Sequence, residues 1–230
     1  MKTSKIALII YTICCVLAII ADVFRLEALK LFTIPLIIPA LFFYYFIEIK
    51  KLNFLICLFF LFNFIGDAIG IMNFDNEIKF IMFPFFISNT IIVFLMFKNL
   101  EKFKFNFLNI VSLLIIGSFL FYVWLFVIDL FTFSEGSIKI QVIVFGFSLF
   151  SMIFLASYNT IWRINISNLY LMVYGTCVLI SDVFYITFNF QNQLVILDYI
   201  HFTCQIFSYF FFVKYILLRE THFINKQLIS

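Results

Sequence analysis

The stretch NFLICLFFLFNFIGDAIGIMN, Asn53 to Asn73, carries one charged side chain, Asp67. At 1.5 Å of rise per residue a helix of this length spans about 31 Å, enough to cross about 30 Å of hydrocarbon. A segment in lipid must satisfy its own backbone hydrogen bonds, and an isolated segment does so only as a helix. The run is therefore a transmembrane helix. A carboxylate inside it costs a few kcal/mol even on lenient insertion scales, so Asp67 faces the interior of a helix bundle and needs a reason to be there.

The rest of the chain has the same character. Its 230 residues are 65% hydrophobic and 12% charged, with a mean hydropathy of +1.16. A soluble domain is nearer half apolar and a quarter charged. The excess runs the whole length, and the three prolines and six glycines form no linker, so residues 1–230 make one all-α membrane domain. Splitting at charged or Asn-rich breaks gives eight spans near 6–24, 31–49, 53–73, 79–97, 107–130, 138–158, 168–190 and 194–217. The 38 phenylalanines fall at helical spacing everywhere and suit lipid-facing and core packing. Lys2 and Lys5 before Ile6–Ile20 resemble the start of a signal peptide, but no A-x-A cleavage pattern follows, and an uncleaved first span is expected. Cys14, Cys15, Cys57, Cys177 and Cys204 all sit in apolar runs without a C-x-x-C pair and act as small hydrophobes.

Charge placement tests the count. With eight spans, Lys2, Lys5, Lys50, Lys51, Lys98, Lys102, Lys104, Arg163, Lys214, Arg219 and Lys226 fall on the side of the termini. Arg25, Lys30, Lys79 and Lys139 fall opposite. That asymmetry puts both termini in the cytoplasm. Each odd-numbered helix then runs outward with an aspartate near its outer end: Asp22, Asp67, Asp129 and Asp182. Three follow a small residue (IADVF, IGDAI, ISDVF), which hints at a repeated hairpin. Asp22 and Asp129 close their spans, where headgroups and water can solvate them. Asp67 and Asp182 each have a further turn or two of apolar helix beyond them.

Polar residues gather on the same faces as these two. Asn63, Gly66, Asp67 and Gly70 follow the i, i+3, i+4, i+7 rule, and Val178, Ser181, Asp182, Tyr185 and Asn189 share a face of the seventh helix. On the eighth, Asp198, His201, Gln205 and Ser208 form a stripe that brings His201 to the depth of Asp182. Asn89, after Ser88, lies near mid-depth on the fourth. A polar pocket in the outer half, built from helices three, four, seven and eight, is expected. One histidine with scattered carboxylates is a weak metal set, so neither metal nor cofactor is expected. His222 lies beyond the last span.

Eight helices with a Gly-Asp in the third and a Ser-Asp in the seventh resemble the YhhN family of lysoplasmalogenase-like membrane proteins. The resemblance runs through nearly the whole chain. TIPLIIPAL (Thr33–Leu41) is similar to the family's Thr-Lys-Pro-Leu opening of helix two, with Pro35 and Pro39 in place. FNFIGDAIGIM and CVLISDVFYI resemble its Gly-Asp and Ser-Asp signatures. FFISNTII occupies its fourth-helix motif, and HFTCQIFSYF resembles the last helix, giving Gln205. The family's lysine before the first proline is Ile34 here, its fourth-helix histidine is Asn89 and the tyrosine one turn on is Ile92. The tyrosine four residues before the last-helix glutamine is His201.

The resemblance implies a hydrolase acting on the vinyl ether of a lysoplasmalogen, or on a related ether or lysophospholipid, at an intramembrane site. Such a reaction begins with protonation of the enol carbon, which a buried carboxylic acid can perform. A second carboxylate stabilises the resulting cation or activates water, as in glycosidases. Asp67 and Asp182 take these two catalytic roles, in either order. Asn63, Asn89, Ser181, Tyr185, His201 and Gln205 are the candidates for binding substrate or water. The partner is then a membrane lipid, nothing addresses nucleic acid, and a bacterial inner membrane is the expected location. Two other readings stay open: a small-solute or proton-coupled carrier using the aspartates as a relay, and a non-catalytic lipid-binding member of the same family.

Overall fold

Three of the Asn-rich breaks work as helix caps. The side chains of Asn53, Asn106 and Asn165 accept from the backbone N–H of Leu55, Leu108 and Asn168, supplying partners that the first turn otherwise lacks. In a computed structural model that describes residues 3–50, 52–72, 77–98, 100, 105–131, 136–191 and 193–229, these caps open three of eight helices. Side chains are described for those residues except 77, 136–137 and 221–229. The helices are α1 (Thr3–Val23), α2 (Glu27–Ile49), α3 (Phe54–Ile71), α4 (Glu77–Phe97), α5 (Phe107–Leu130), α6 (Gly136–Trp162), α7 (Ile166–Phe190) and α8 (Val195–Ile229). All eight are long and apolar enough to cross a membrane. Each also exposes large apolar side chains, such as Phe32, Phe83, Leu114 and Phe119, which suits a lipid surround.

Two ends differ from the hydropathy reading. Helix α6 runs four residues past the expected 158, and α8 continues to Ile229 where the apolar run suggested 217. Charge ends the greasy segment of α8 without ending the helix, because it finds partners there. Tyr45 Oη donates to the Glu220 carboxylate at 3.3–3.4 Å, and Arg219 donates to the Leu95 carbonyl and to Tyr215 Oη. Of the charges used to orient the chain, Lys2, Lys51, Lys102 and Lys104 lie outside the described residues, as do the side chains of Lys226 and His222.

Packing gives the bundle its plan. Helices α2, α3, α4, α6, α7 and α8 touch in a closed ring, with α1 against α2 and α8 and α5 against α6 and α7. The ring divides into two like halves. In α1–α4 and in α5–α8 each helix packs on the next, and the second helix of each half packs on the fourth of the other, α2 on α8 and α6 on α4. The repeat suggested by the aspartates is thus a pair of hairpins rather than a single one. Asp22 and Asp129 occupy the first helix of each half, Asp67 and Asp182 the third.

One end of the ring is filled by aromatic rings. Phe59 of α3, Tyr174 of α7 and Phe212 of α8 are fully buried, with Phe59 and Phe212 centroids 3.9 Å apart and Tyr174 to Phe212 5.3 Å. Helix α5 is the least embedded, with Leu120 and Val127 its buried residues. It closes on α6 by laying Trp124 over Gly146, where a Cβ would stand 2.5 Å from the indole. Gly146→Ala is therefore expected to lift α5 away, lowering stability by about 1–3 kcal/mol. A shifted Trp124 emission together with a lower thermal midpoint would show this.

Candidate functional site

At the end opposite the aromatic floor, where α1, α3 and α7 finish and α2, α4 and α8 begin, the ring encloses a cavity of about 340 Å³. Helices α3, α4, α7 and α8 wall it as expected, and α2, the end of α1 and Phe145 of α6 complete it. The i, i+4 stripes explain the wall: small Gly66 and Gly70 leave room beside Asp67, and Phe85 lies so close over Gly66 that a Cβ there would meet its ring at 2.8 Å.

Among the expected residues, Asp67, Asp182, Tyr185, His201 and Gln205 line this cavity. Four hydrogen bonds tie several of them into a directed chain. His201 Nδ1 lies 2.8 Å from Ser181 Oγ and 3.0 Å from the Ser181 carbonyl oxygen. A carbonyl only accepts, so in the neutral ring Nδ1 carries the proton and Nε2 is left as an acceptor. Ser181 Oγ donates to Gln205 Oε1 at 3.0 Å, Gln205 Nε2 donates to Tyr209 Oη at 2.8 Å, and Tyr209 Oη donates to Asp67 Oδ1 at 2.7 Å. Every donor points towards Asp67. Ser181 itself is fully buried behind the wall and acts through His201 and Gln205. Tyr185 stacks at a tilt on His201, centroids 4.8 Å apart.

Tyr209 was not among the sequence candidates, although it follows Gln205 by one turn on the same stripe. Its hydroxyl donates from α8 directly to Asp67. Tyr209→Phe keeps the ring and leaves both Gln205 Nε2 and Asp67 Oδ1 short of a partner. Its expected cost is about 1–3 kcal/mol in thermal unfolding in detergent; an unchanged midpoint would mean that the chain carries no stability.

Asp182 differs from Asp67. Its Oδ2 is buried with no hydrogen-bond partner among the described residues. It lines the main cavity and also a second hole of about 10 Å³ shared with Asn63, Asn89, Gln205, Ser208 and Tyr209.

Three of the candidates, Ser181, Asn63 and Asn89, lie off the main cavity, and the expected setting of Asp22 needs correction. Asn63 does not reach the main cavity: it is buried one turn deeper, and its amide donates to the Phe59 carbonyl at 2.8 Å and to Ser88 Oγ. Asn89 likewise lies behind the wall, facing the small hole. Asn89 lies at the mid-depth expected of it and Asn63 one turn below Asp67, so both sit on the correct face but below the main cavity. Asp22 is not a solvated end charge. It is 7% exposed and ion-paired to Lys30 at 2.6 Å. The turn between α1 and α2 is tight, with Leu26 N–H donating to the Ala21 carbonyl and Arg25 N–H to that of Asp22. This folds the first turn of α2 back over the end of α1. Lys30, which the charge count had placed at the surface, thereby reaches the cavity wall beside Phe202, whose ring centroid is 5.3 Å from its ammonium. Asp129 is exposed at the end of α5, as expected.

Among the described residues, no three His, Cys, Asp or Glu side chains converge in a metal-binding cluster. No family model, curated protein or solved structure matches the chain.

Proposed function

We propose that the chain is a YhhN-like membrane hydrolase that cleaves the vinyl ether of a lysoplasmalogen, or of a closely related single-chain ether lipid. The observation that carries this reading is the pair Asp67 and Asp182. They come from the third helix of each half, wall one cavity inside the bundle, and have unlike surroundings.

That unlikeness supports a division of labour. Asp67 is oriented by the donor chain through Tyr209, so a proton it carries sits on the oxygen that Tyr209 does not occupy. Asp67 is the acid: it protonates the outer carbon of the double bond, and the ether oxygen shares the resulting positive charge with the adjacent carbon. Water attacks that carbon and gives a proton to Asp182, whose Oδ2 has no competing donor. The hemiacetal then breaks. Asp182 protonates the departing glycerol oxygen, the hemiacetal hydroxyl gives its proton to Asp67, and an aldehyde forms. Both carboxyl groups return to their starting states, and one water has been added across the bond.

Lys30 is a cation on the cavity wall, ion-paired there to Asp22, and Asp198 lies on the same wall. The family's lysine position is Ile34, but Lys30 lies one turn earlier on the same face of α2, and both residues wall the cavity. An ammonium is thus present at the end of the cavity nearest the membrane surface. Orientation by positive charge puts that end away from the cytoplasm. A carrier is less well supported, since a solute would have to pass the packed rings of Phe59, Tyr174 and Phe212.

The test is direct. Purified protein in nanodiscs is given a lysoplasmalogen, and free fatty aldehyde is measured. Stoichiometric release of aldehyde and glycerophospho-base supports the proposal. Well-folded protein that binds the lipid without turnover would replace it with the lipid-binding reading.

A further inference from the structure

The small hole behind Asp182 has the size and chemistry of a site for a single molecule. Its volume is about 10 Å³, and about 10–15 Å³ measured in that way is what one water requires. Asn63, Asn89, Gln205, Ser208 and Tyr209 give it a polar wall, closed by Phe85, Tyr174 and Val178.

Nearly all of that wall is already engaged. The Asn63 amide donates to the Phe59 carbonyl and to Ser88, Ser208 Oγ donates to the Gln205 carbonyl at 2.7 Å, and Gln205 and Tyr209 are links in the donor chain. Two residues of that wall each keep one buried atom without a partner among the described residues: Nδ2 of Asn89, a residue 4% exposed, and Oδ2 of Asp182. One is a donor and the other an acceptor. Leaving either unsatisfied is costly in an apolar bundle, and a molecule able both to accept and to donate satisfies the two at once. A bare cation would suit the carboxylate but not the amide N–H.

We infer that this hole binds one water molecule, which accepts from Asn89 Nδ2 and donates to Asp182 Oδ2, and that this is the water Asp182 activates. The second clause rests on the hydrolase reading; the first does not. Phe85, Asp182, Gln205 and Tyr209 belong to the walls of the small hole and of the main cavity alike, so the bound water lies beside the carboxyl group that meets the substrate. Asn89 is a positioning residue here, holding the oxygen while Asp182 takes the proton.

The experiment is a structure of the resting protein at a resolution that shows ordered water, solved for wild type, Asn89→Leu and Asn89→Ser and paired with kinetics on the lysoplasmalogen. Wild type is expected to show one density peak within hydrogen-bond distance of both atoms. Asn89→Leu, similar in volume without a donor, is expected to lose the peak and to lower kcat about 10²-fold with KM within about twofold. Asn89→Ser keeps a donor and is expected to keep density in the hole, which guards against the leucine variant failing to fold. A wild-type hole without density overturns the site. Density with unchanged kcat in Asn89→Leu overturns the role of that water. If wild type releases no aldehyde, the hydrolase reading fails, while the density in wild type and its loss in Asn89→Leu still decide whether the water site exists.

Discussion

Asp67→Asn and Asp182→Asn are each expected to slow aldehyde release by a factor of about 10²–10⁴, the range a positioned acid or base supplies. The two losses should not add. Once either proton transfer is gone, the other group has no productive step to assist, so the double variant should be close to the slower single one. The variants differ in stability, and that difference separates function from structure. At Asp67 the amide can still accept from Tyr209, so the fold should be little changed. At Asp182 a buried carboxyl group without a protein partner on Oδ2 is exchanged for a neutral amide whose oxygen can still accept from the inferred water, and burying a charge is costlier than burying an amide. Asp182→Asn should melt no lower than wild type. Full turnover in either variant would sink the two-carboxylate mechanism. A large fall in melting temperature at Asp182 would instead assign that residue to the fold.

Lys30→Met is expected to be the most damaging change outside this pair. Asp22 is almost fully buried and Lys30 is the partner in its ion pair, with a side chain 29% exposed. Removing one member of a fully buried pair costs about 3–5 kcal/mol, because the other charge is left uncompensated. The partial exposure of Lys30 lowers the expected cost to about 2–3 kcal/mol. Adding Asp22→Asn should recover most of that stability, since the amide needs no counterion. Thermal midpoints of the single and double variants in the same detergent measure this directly. A double variant as unstable as Lys30→Met alone would show that the lysine acts by packing its stem against Phe202 rather than by charge.

The membrane made much of the fold legible. Hydrocarbon forces each crossing to be a long apolar helix, so eight runs announced eight helices, and Asn53, Asn106 and Asn165 marked where three of them begin. The end of α8 was not legible, because hydropathy reports where lipid stops and α8 is held past that point by Glu220 and Arg219. The site was legible where a residue violated its surroundings. Asp67 and Asp182 stand out in apolar runs, and Gln205 and His201 share a stripe. Tyr209 was hidden by a chain in which aromatic residues are ordinary, so one more tyrosine on α8 gave no signal. Lys30 was hidden for the opposite reason: a lysine at a helix start is ordinary, and only the tight turn after Val23 brings it inward.

The two like halves of the ring bear on how such a site comes to exist. Two identical four-helix units assembling side by side would present two identical carboxyl groups, each with the same neighbours. The proposed acid and base must be different, and strict symmetry forbids that. A single chain is free of that constraint: α8 places Gln205 and Tyr209 on the side of Asp67, while α4, its counterpart, places Asn89 at the small hole that Asp182 shares. An unequal pair is what two like halves in one chain permit and a symmetric dimer does not.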